Sequence, residues 1–302
     1  TDGLILSTGA DTAPQISSTD SLLAWSIRNL PASSQRFLLQ CTVFSGSFDA
    51  EAAVSITGRE DAQKLLQDLV NASLVYFVQK ETPFDGLRYR LLESVRRQSE
   101  RFLEPAAQQG LLSKHAEYFT LVAAGIPPAG VGRTDFSRLN RFRLDDDNFE
   151  RAIQTLEGQD AARSASLVLS LAPLWLQTNA QQLRGHLERL LSNNETLTEQ
   201  QRIWLYVFAG ADAESRFDYQ AATQFHQNVH SLIGTTRKAY WLTSPLLVDI
   251  LLRDPSMSKW LQGLLDAWPE PMTLAVVLRH NALQAWYEGA ADEDWVIEKF
   301  ES

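Results

Sequence analysis

The sequence predicts a mainly α-helical protein with one small β-hairpin in its first third. Through most of the chain, apolar residues recur every three or four positions, the spacing of a helix that buries one face. Between residues 73 and 92 this spacing gives way to the alternation of strands, interrupted by Pro83 and the turn-forming pair Asp85-Gly86. Beyond residue 107, helical stretches follow one another with short Gly, Asn or Thr breaks, which is typical of a helical repeat.

Composition bounds the size and the location of the protein. With 302 residues, 44% of them hydrophobic, the chain is long enough for about two domains. It has no apolar run near the roughly 18 residues that a membrane helix needs, and no signal-peptide pattern at its start. Its single cysteine, Cys41, lies among apolar residues, which favours a buried thiol and a reducing compartment. We expect a cytoplasmic protein that does not contact a membrane.

The charge distribution argues against nucleic-acid binding. The net charge is −10, and no segment forms a basic domain. The candidate reading helix, EDAQKLLQDLVNA, carries one lysine and three acids. Base edges are usually read by Arg, Asn or Gln, with Lys and Arg on the phosphates. We therefore expect DNA contact by this chain to be the least favoured function.

The chain begins with a polar stretch, residues 1–19, which reads as an extended lead-in or the end of a preceding helical domain. A helix follows over DSLLAWSIRNL, capped by Thr19 or Asp20 and ended by Pro31. Its predicted apolar set is Leu22, Leu23, Trp25 and Ile27.

Three more helices are predicted before the hairpin, over ASSQRFLLQCTVFSG, DAEAAVSITG and EDAQKLLQDLVNA. The middle one has Asp49 as its N-cap and Gly58 after its last turn. The strands SLVYFVQ and LRYRLL then flank the turn, and a further helix begins near Glu93, where the spacing becomes helical again. This order of helices, hairpin and helix predicts a winged-helix domain over residues 20–106.

The rest of the chain is predicted to be a linker helix and loop, residues 107–143, and a TPR-like right-handed α-superhelix, residues 144–302. One helix pair fits best: Gly210 is small in the middle of its helix, and Ala222 lies on the packing face of the next. Phe217 and Tyr219 flank the turn between them. In tetratricopeptide repeats such helices cross closely at small residues, and the turn aromatic fills the end of the pair. LRHNALQAWYEGAADEDW predicts another first helix of this kind.

Five stretches of the chain resemble one family. They are, in order, LLAWSIRNLPASSQRFLLQCTVFSGSFDAEAA, LLQDLVNASLV, RYRLLESVRRQSERFL, KHAEYFTLVA and LDDDNFERAI. They are similar to blocks of the bacterial STAND signalling ATPases, in the branch of LuxR-, AfsR- or OmpR-like transcriptional regulators. In that branch a winged helix follows the nucleotide-binding domain, and a tetratricopeptide-like sensor follows the winged helix. The resemblance runs from about Leu4 to Gly234.

The resemblance implies a regulatory and sensor portion rather than an enzyme. No Gly-x-x-x-x-Gly-Lys motif occurs, because no glycine is followed by lysine, and that loop is what cradles nucleotide phosphates. We therefore expect no cofactor in this chain, with ATP or ADP only in a separate nucleotide-binding domain. The expected partners are that domain and a protein, peptide or small-molecule inducer.

The resemblance also marks a candidate contact surface. In the wider NB-ARC group the winged helix folds onto the nucleotide-binding domain and helps to hold ADP. The Met-His-Asp motif of that group aligns with Leu91-Leu92-Glu93, so a histidine contact to phosphate is not implied. Leu91, Leu92, Glu93 and Arg96 are the candidates for facing that domain. Strand alternation predicts Leu91 in the core and Leu92 at the surface, while Glu93 also suits a simple helix cap.

Other candidate sites have a structural explanation beside the functional one. Trp175, Trp204, Tyr206 and His226 could line a ligand groove, although most aromatics of a repeat belong to the inter-helix core. His226 and His230 are four residues apart, but no Glu or Cys completes a metal site. LDDDN lacks the spacing and glycine of a calcium loop and suits a helix N-terminus. We expect no metal and no catalytic residues.

Three functions stay open from the sequence. The first is the sensor portion of a STAND-type regulator, which binds an inducer through its repeats and relays binding through the winged helix. The second is a standalone TPR-like adaptor that holds one protein partner. The third, a winged-helix DNA-binding regulator, is the least supported.

Overall fold

The computed structural model describes residues 18–78, 86–126, 142–193 and 195–236. The predicted lead-in, the hairpin turn, the loop before residue 142 and every predicted helix beyond residue 236 lie outside the described residues. Within them the protein is mainly helical, with one two-stranded antiparallel sheet. No described helix combines the length and the apolar character that a membrane span requires.

Eleven helices and two strands are described within these ranges. The helices are α1 (Ser18–Arg28), α2 (Ala32–Cys41), α3 (Ala50–Thr57), α4 (Ala62–Asn71), α5 (Glu93–Glu100), α6 (Pro105–Ala124), α7 (Asp146–Glu157), α8 (Ala161–Thr178), α9 (Ala180–Ser192), α10 (Glu199–Ser215) and α11 (Tyr219–Thr236). The strands are β1 (Val75–Val78) and β2 (Arg88–Leu91), which pair between α4 and α5. The predicted order of elements up to α5 is therefore present.

The chain divides into two compact units. Within the described residues, the first unit holds residues 18–126 and 142–167, and the second holds residues 168–236. α6 and α7, which the sequence placed in the linker and the start of the repeat, lie in the first unit. The functional domain boundaries stay a prediction.

Helix α3 shows how local sequence sets the first unit. The Asp49 side chain accepts a hydrogen bond from the Ala52 backbone N–H at 2.8 Å, so the predicted N-cap is confirmed. Gly58 ends the helix with φ of 70°, in the left-handed region that glycine enters at little cost. The buried side of this helix, which includes Ala53 and Ile56, faces the core.

The hairpin is tied to the loop before α3. Tyr76 pairs with Arg90 and Phe77 with Tyr89 in an antiparallel register. Phe48 extends the pairing, because its N–H and C=O both bond to the backbone of Tyr89, at 2.9 and 2.7 Å. Those mutual bonds hold the loop before α3 against β2.

Aromatic side chains build the core of the first unit. Phe44 and Phe48 stack with ring centroids 4.0 Å apart, and Phe119 of α6 meets Phe44 edge-on at 6.4 Å. Phe149 of α7 meets Phe119 edge-on at 5.7 Å. All four side chains are buried. This shared core explains why α6 and α7 belong to the first unit.

Helix α1 corrects the predicted apolar set. Ile27 is fully buried, and Leu23 is half-buried. Leu22 and Trp25, however, are both 66% exposed. The main neighbour of α1 among the described elements is α5, so only a narrow stripe of α1 is covered.

The second unit is helical throughout its described part. Thr198 begins α10 with a capping box, in which Thr198 and Gln201 each bond to the other's backbone N–H. Asp212 of α10 is buried and binds Arg184 of α9 at 2.8 Å, as well as Arg216 at 3.1 Å. The Arg184–Asp212 ion pair ties α9 to α10, and α10 packs along α11.

Candidate functional site

The predicted contact residues lie where β2 becomes α5. Leu91 is 7% exposed and pairs with Val75, whereas Leu92 is 41% exposed. The predicted alternation of burial is therefore confirmed. Whether these residues face a nucleotide-binding domain stays a prediction.

Glu93 lies in the first turn of α5, where its negative charge suits the positive end of the helix dipole, as predicted. It is the first helical residue, and the N-cap position is Leu92, which makes no side-chain hydrogen bond to the helix end. The Glu93 carboxylate accepts hydrogen bonds from Arg96 Nε at 3.0 Å and from Arg96 Nη2 at 2.7 and 2.9 Å. The Arg96 guanidinium lies one turn further along the helix and presents charged N–H donors to the Glu93 carboxylate. Such charge-assisted hydrogen bonds are stronger than neutral ones. Arg96 also lies 3.4 Å from Glu100, so acids of α5 flank this arginine on two sides.

A second, unpredicted cluster lies beneath the hairpin, and Arg88 is its centre. The Arg88 side chain is 9% exposed and donates to the Ser47 hydroxyl at 2.9 Å and the Ser47 carbonyl at 2.7 Å. It also donates to the Leu144 carbonyl at 3.2 Å and forms a close ion pair with Asp145. A buried arginine of this kind costs little only because most of its donors have acceptors.

Asn148 completes the cluster from α7. Its side-chain oxygen accepts from the backbone N–H groups of Ser45 at 3.0 Å and Gly46 at 3.5 Å, while its amide donates to the Ser47 carbonyl at 2.9 Å. His115 of α6 places Nε2 3.4 Å from the same Asn148 oxygen. We refer to Ser47, Arg88, His115, Asp145 and Asn148 as the polar joint.

The approach of the two chain segments at the polar joint needs a glycine. A Cβ atom on Gly46 would lie 2.9 Å from the Cβ atom of Asp147, closer than side chains pack. The backbone of Gly46 in the loop before α3 therefore lies directly against the Asp147 side chain at the start of α7, and a larger residue at position 46 would force one of the two to shift.

Burial shifts the protonation of the polar joint. It lowers the pKa of His115 to about 3, although the bond to Asn148 opposes this shift, so His115 is neutral at pH 7. Burial raises the pKa of Asp145 to about 6 against the opposing charge of Arg88. His115 Nδ1 is buried and has no hydrogen-bond partner among the described residues. The joint is thus a rigid contact that tolerates few changes of charge.

LDDDN was predicted to be a helix N-terminus rather than a calcium loop, and the structure gives it a second role. Asp146 and Asp147 do lie in the first turn of α7. Asp145 binds Arg88, however, and Asn148 is fully buried against the loop before α3. No local pattern marks these contacts, since Asn148 and Ser45 are 103 positions apart. The sequence signal that was available is that Ser45 and Asn148 lie in two of the five stretches that resemble one family.

The predicted groove residues divide into two kinds. Trp175 is fully buried and stacks on His186 with ring centroids 5.4 Å apart, so it is a core residue. His226 is 7% exposed and packs against Gly210. Trp204 and Tyr206 are half-buried, and their part in a groove stays a prediction.

The α10–α11 pair is close at Gly210, as predicted for repeat packing. A Cβ atom on Gly210 would lie 2.7 Å from His226 Nε2, and Ala222 is 3% exposed. Phe217, however, is 76% exposed and Tyr219 64% exposed, so the turn aromatics do not fill the end of the pair. Phe217 has φ of 62°, in the left-handed region that non-glycine residues seldom adopt.

The metal candidates gain no support among the residues that the structure describes. No group of three His, Cys, Asp or Glu side chains there is arranged to hold a metal ion. In LDDDN, Asp145 binds Arg88 and Asp147 lies 3.7 Å from Arg90. The side chain of His230 lies outside the described residues.

Comparison with known proteins gives a weak similarity to three proteins that share one kind of name. Three mycobacterial proteins, one from Mycobacterium bovis and two from strains of Mycobacterium tuberculosis, carry the provisional name HTH-type transcriptional regulator. Each is 29% identical to this chain over 186 residues, which is 59% of this chain and 20% of the relative. The chain thus spans about a fifth of the length of these relatives. No family model matches the chain. No solved structure matches it.

Proposed function

We propose that this chain is the regulatory portion of a STAND-type transcriptional regulator of the cytoplasm. Residues 20–106 are its winged helix, and residues 144–302 are its TPR-like sensor. Similarity to proteins named as HTH-type transcriptional regulators supports a role in transcription regulation. The chain itself has no catalytic role and holds no nucleotide.

The observation that carries this proposal is the convergence of separate sequence blocks. Gly46, Arg88, His115 and Asn148 come from four of the five blocks that resemble the family, and all four meet at the polar joint. Blocks from one shared architecture are expected to meet in space. An accidental likeness of short stretches gives no reason for them to do so.

The proposed mechanism is a two-state switch. In the resting state the hairpin and the start of α5, with exposed Leu92 and the paired Arg96, contact a nucleotide-binding domain that holds ADP. An inducer bound to the repeats favours a second state, in which the winged helix leaves that domain. Such an inducer shifts the equilibrium only through its different affinity for the two states.

The test begins with the complete reading frame that contains this sequence. The proposal requires a Gly-x-x-x-x-Gly-Lys loop upstream of residue 1. The protein encoded by that frame should retain ADP through purification and release it when inducer binds. A frame without such a loop contradicts the proposal, and a stable complex of that protein with one partner would then favour the adaptor.

A further inference from the structure

A cleft of about 400 Å³ lies between α6 and α7, wholly within the first unit. Most of the side chains that line it are polar, and they come from α6, from α7 and from the turn after α7: Gln109, Arg151, Gln154, Thr155 and Gln159. No residue of the polar joint lines this cleft. Its volume falls within the range of about 300–1,000 Å³ that is usual for small-molecule sites.

The lining of the cleft belongs to the described part of the chain and does not adjoin the ends of that part. The lining residue of α6 that lies furthest along this helix is Leu112. From there α6 runs about 18 Å further, to Ala124, before residues 127–141 follow. On the other wall, Gln159 leads directly into α8, which is described throughout.

Arg151 supplies the charge of the cleft. Among the described residues it is the one charged side chain in the lining, and this side chain is 23% exposed. Its Nε atom is buried and finds no hydrogen-bond partner in the described part of the chain. Its ion pair with Glu100 joins Arg151 Nη2 to a carboxylate oxygen at 3.8 Å, which is too long for a hydrogen bond. A guanidinium has five N–H donors, so the described chain satisfies Arg151 poorly.

Glu100 is shared between two arginines. It lies 3.4 Å from Arg96 Nη1 and 3.8 Å from Arg151 Nη2, so Arg96 is the closer partner. Burial lowers the pKa of Arg151, and the positive charge of Arg96 adds to this shift, while the charge of Glu100 opposes it. The charge of Arg151 is therefore only partly compensated, and a partly buried charge in this state gains from an added anion.

Glutamine side chains supply neutral hydrogen-bonding groups around this charge. Gln109 and Gln159 are both exposed, and each amide offers two donors and an acceptor. The Gln154 amide donates to Glu150 at 3.0 Å, and the Thr155 hydroxyl donates to the Arg151 carbonyl at 2.9 Å, so these donors are already used. One cation and two accessible amides therefore converge on the cleft.

We propose that this cleft binds a small organic carboxylate that also carries an amide group. The ligand carboxylate accepts hydrogen bonds from the Nη groups of Arg151, whose planar fork matches the two carboxylate oxygens. The ligand amide pairs with Gln109 or Gln159. The bound carboxylate competes with Glu100 for Arg151, and Glu100 keeps Arg96 as its partner. This site lies outside the predicted repeat groove and does not depend on the function proposed above.

The test is a titration of the whole chain with N-acetylglycine, followed by ligand-observed NMR and calorimetry. The matched probe is N-acetylglycinamide, which keeps the amide and replaces the carboxylate by a neutral group. We expect saturable binding of the carboxylate only. Arg151→Gln should weaken it by at least about tenfold, because a charged hydrogen-bond donor is lost. Glu100→Gln should strengthen it by about twofold to fivefold, because it removes the competing acid.

The control variant is Arg163→Gln, which removes an exposed arginine of the same unit that does not line the cleft. It should leave the affinity unchanged. Inorganic phosphate is a third probe, which we expect to bind more weakly than N-acetylglycine because it has no amide.

Four results would each overturn the proposal: no saturable binding of N-acetylglycine, equal binding of the carboxylate and the neutral probe, phosphate binding as tight as that of N-acetylglycine, or equal effects of Arg151→Gln and Arg163→Gln. Circular dichroism of each variant separates loss of binding from loss of fold. The expected gain in affinity with Glu100→Gln is independent evidence, since a loss of fold would not strengthen binding.

Discussion

At the scale of single residues, the polar joint shows how a few buried side chains can fix one arrangement of a core. Arg88, Asp145 and Asn148 satisfy one another and three backbone carbonyl or amide groups of the loop before α3. Removing one member leaves its partners buried and unsatisfied, which costs more than the net energy of each bond. A substitution in the polar joint should therefore lower the free energy of unfolding by more than the net energy of the hydrogen bonds it removes.

Asn148→Ala should lower the free energy of unfolding by at least about 2 kcal/mol, because two or more buried backbone groups lose their partners. Urea denaturation at pH 7 measures this change. Gln154→Ala is the matched control, since Gln154 lies on the exposed face of α7 and bonds only to Glu150 at 3.0 Å among the described contacts. It should change stability by less than about 0.5 kcal/mol. Similar effects of both variants would show that the joint is not a stabilising contact.

His115 should make the protein sensitive to acid. The folded pKa of His115 is about 3 and its usual value is 6.5, so the folded state binds fewer protons between these values. Its contribution to stability is therefore complete above pH 6.5 and is lost as the pH falls toward 3. Asp145 acts in the opposite sense: its folded pKa is about 6, so its contribution favours the folded state at low pH and declines as the pH rises from 3.8 through 6.

Comparison with His115→Phe isolates the histidine, because phenylalanine keeps the aromatic contacts to Phe44 and Phe119 and does not titrate. Below pH 6.5, the stability of the original protein relative to this variant should fall by about 1.4 kcal/mol per pH unit. Urea titrations at pH 7.5, 6.0 and 5.0 measure this difference. A difference that is constant across pH would mean that His115 is not buried in its neutral form.

At the scale of elements, local sequence explains where a helix begins and ends better than it explains which elements pack against that helix. The cap at Asp49 and the helix end at Gly58 follow from residue type alone, and both are present. Leu22 and Trp25 belong to the predicted apolar set of α1, yet both are exposed, and the main neighbour of α1 among the described elements is α5. Periodicity identifies a helix, but the number of faces it buries depends on elements far away in the sequence.

The pairing of α10 with α11 can be tested at Gly210. Gly210→Leu should lower the free energy of unfolding by about 1–3 kcal/mol or more, because the new side chain overpacks a site where even a Cβ atom meets His226 at 2.7 Å. Gly185→Ala in α9 is the control, since a Cβ there meets only Arg189 at an ordinary 3.7 Å. That variant should stabilise the helix by up to about 1 kcal/mol. A Gly210→Leu protein with an unchanged melting temperature would place the close crossing elsewhere.

At the scale of the whole molecule, the sequence predicted the mainly helical class, the hairpin and the order of elements up to α5, and all are present. It did not predict the polar joint, because Arg88 and Ser47 are 41 positions apart and no local pattern links them. It also misplaced the turn aromatics: Phe217 and Tyr219 are exposed, and the left-handed conformation of Phe217 is not evident from its residue type. The exposure of Leu92 was predictable because strand alternation is itself a local rule.

Leu92→Asp tests the proposed contact between this chain and a nucleotide-binding domain. Leu92 is 41% exposed, so a charge there should leave the fold intact and change the melting temperature of this chain by only a few degrees at most. In the protein encoded by the complete reading frame, the same charge would be buried against the nucleotide-binding domain, where an unpaired carboxylate is strongly unfavourable. That protein should then lose bound ADP or become active without inducer. The amount of ADP retained after purification measures the first effect, and transcription from a reporter gene without inducer measures the second.

Leu121→Asp is the control for surface charge, because Leu121 is also exposed and lies on α6 rather than at the strand–helix junction. It should leave ADP retention and basal transcription unchanged. If Leu92→Asp unfolds this chain, Leu92 contributes to the core of the first unit, and its exposure is not that of a contact residue. If the complete protein keeps both its ADP and its basal activity with Asp at position 92, the junction of β2 and α5 does not hold the resting state, and α1, with exposed Leu22 and Trp25, becomes the surface to test next.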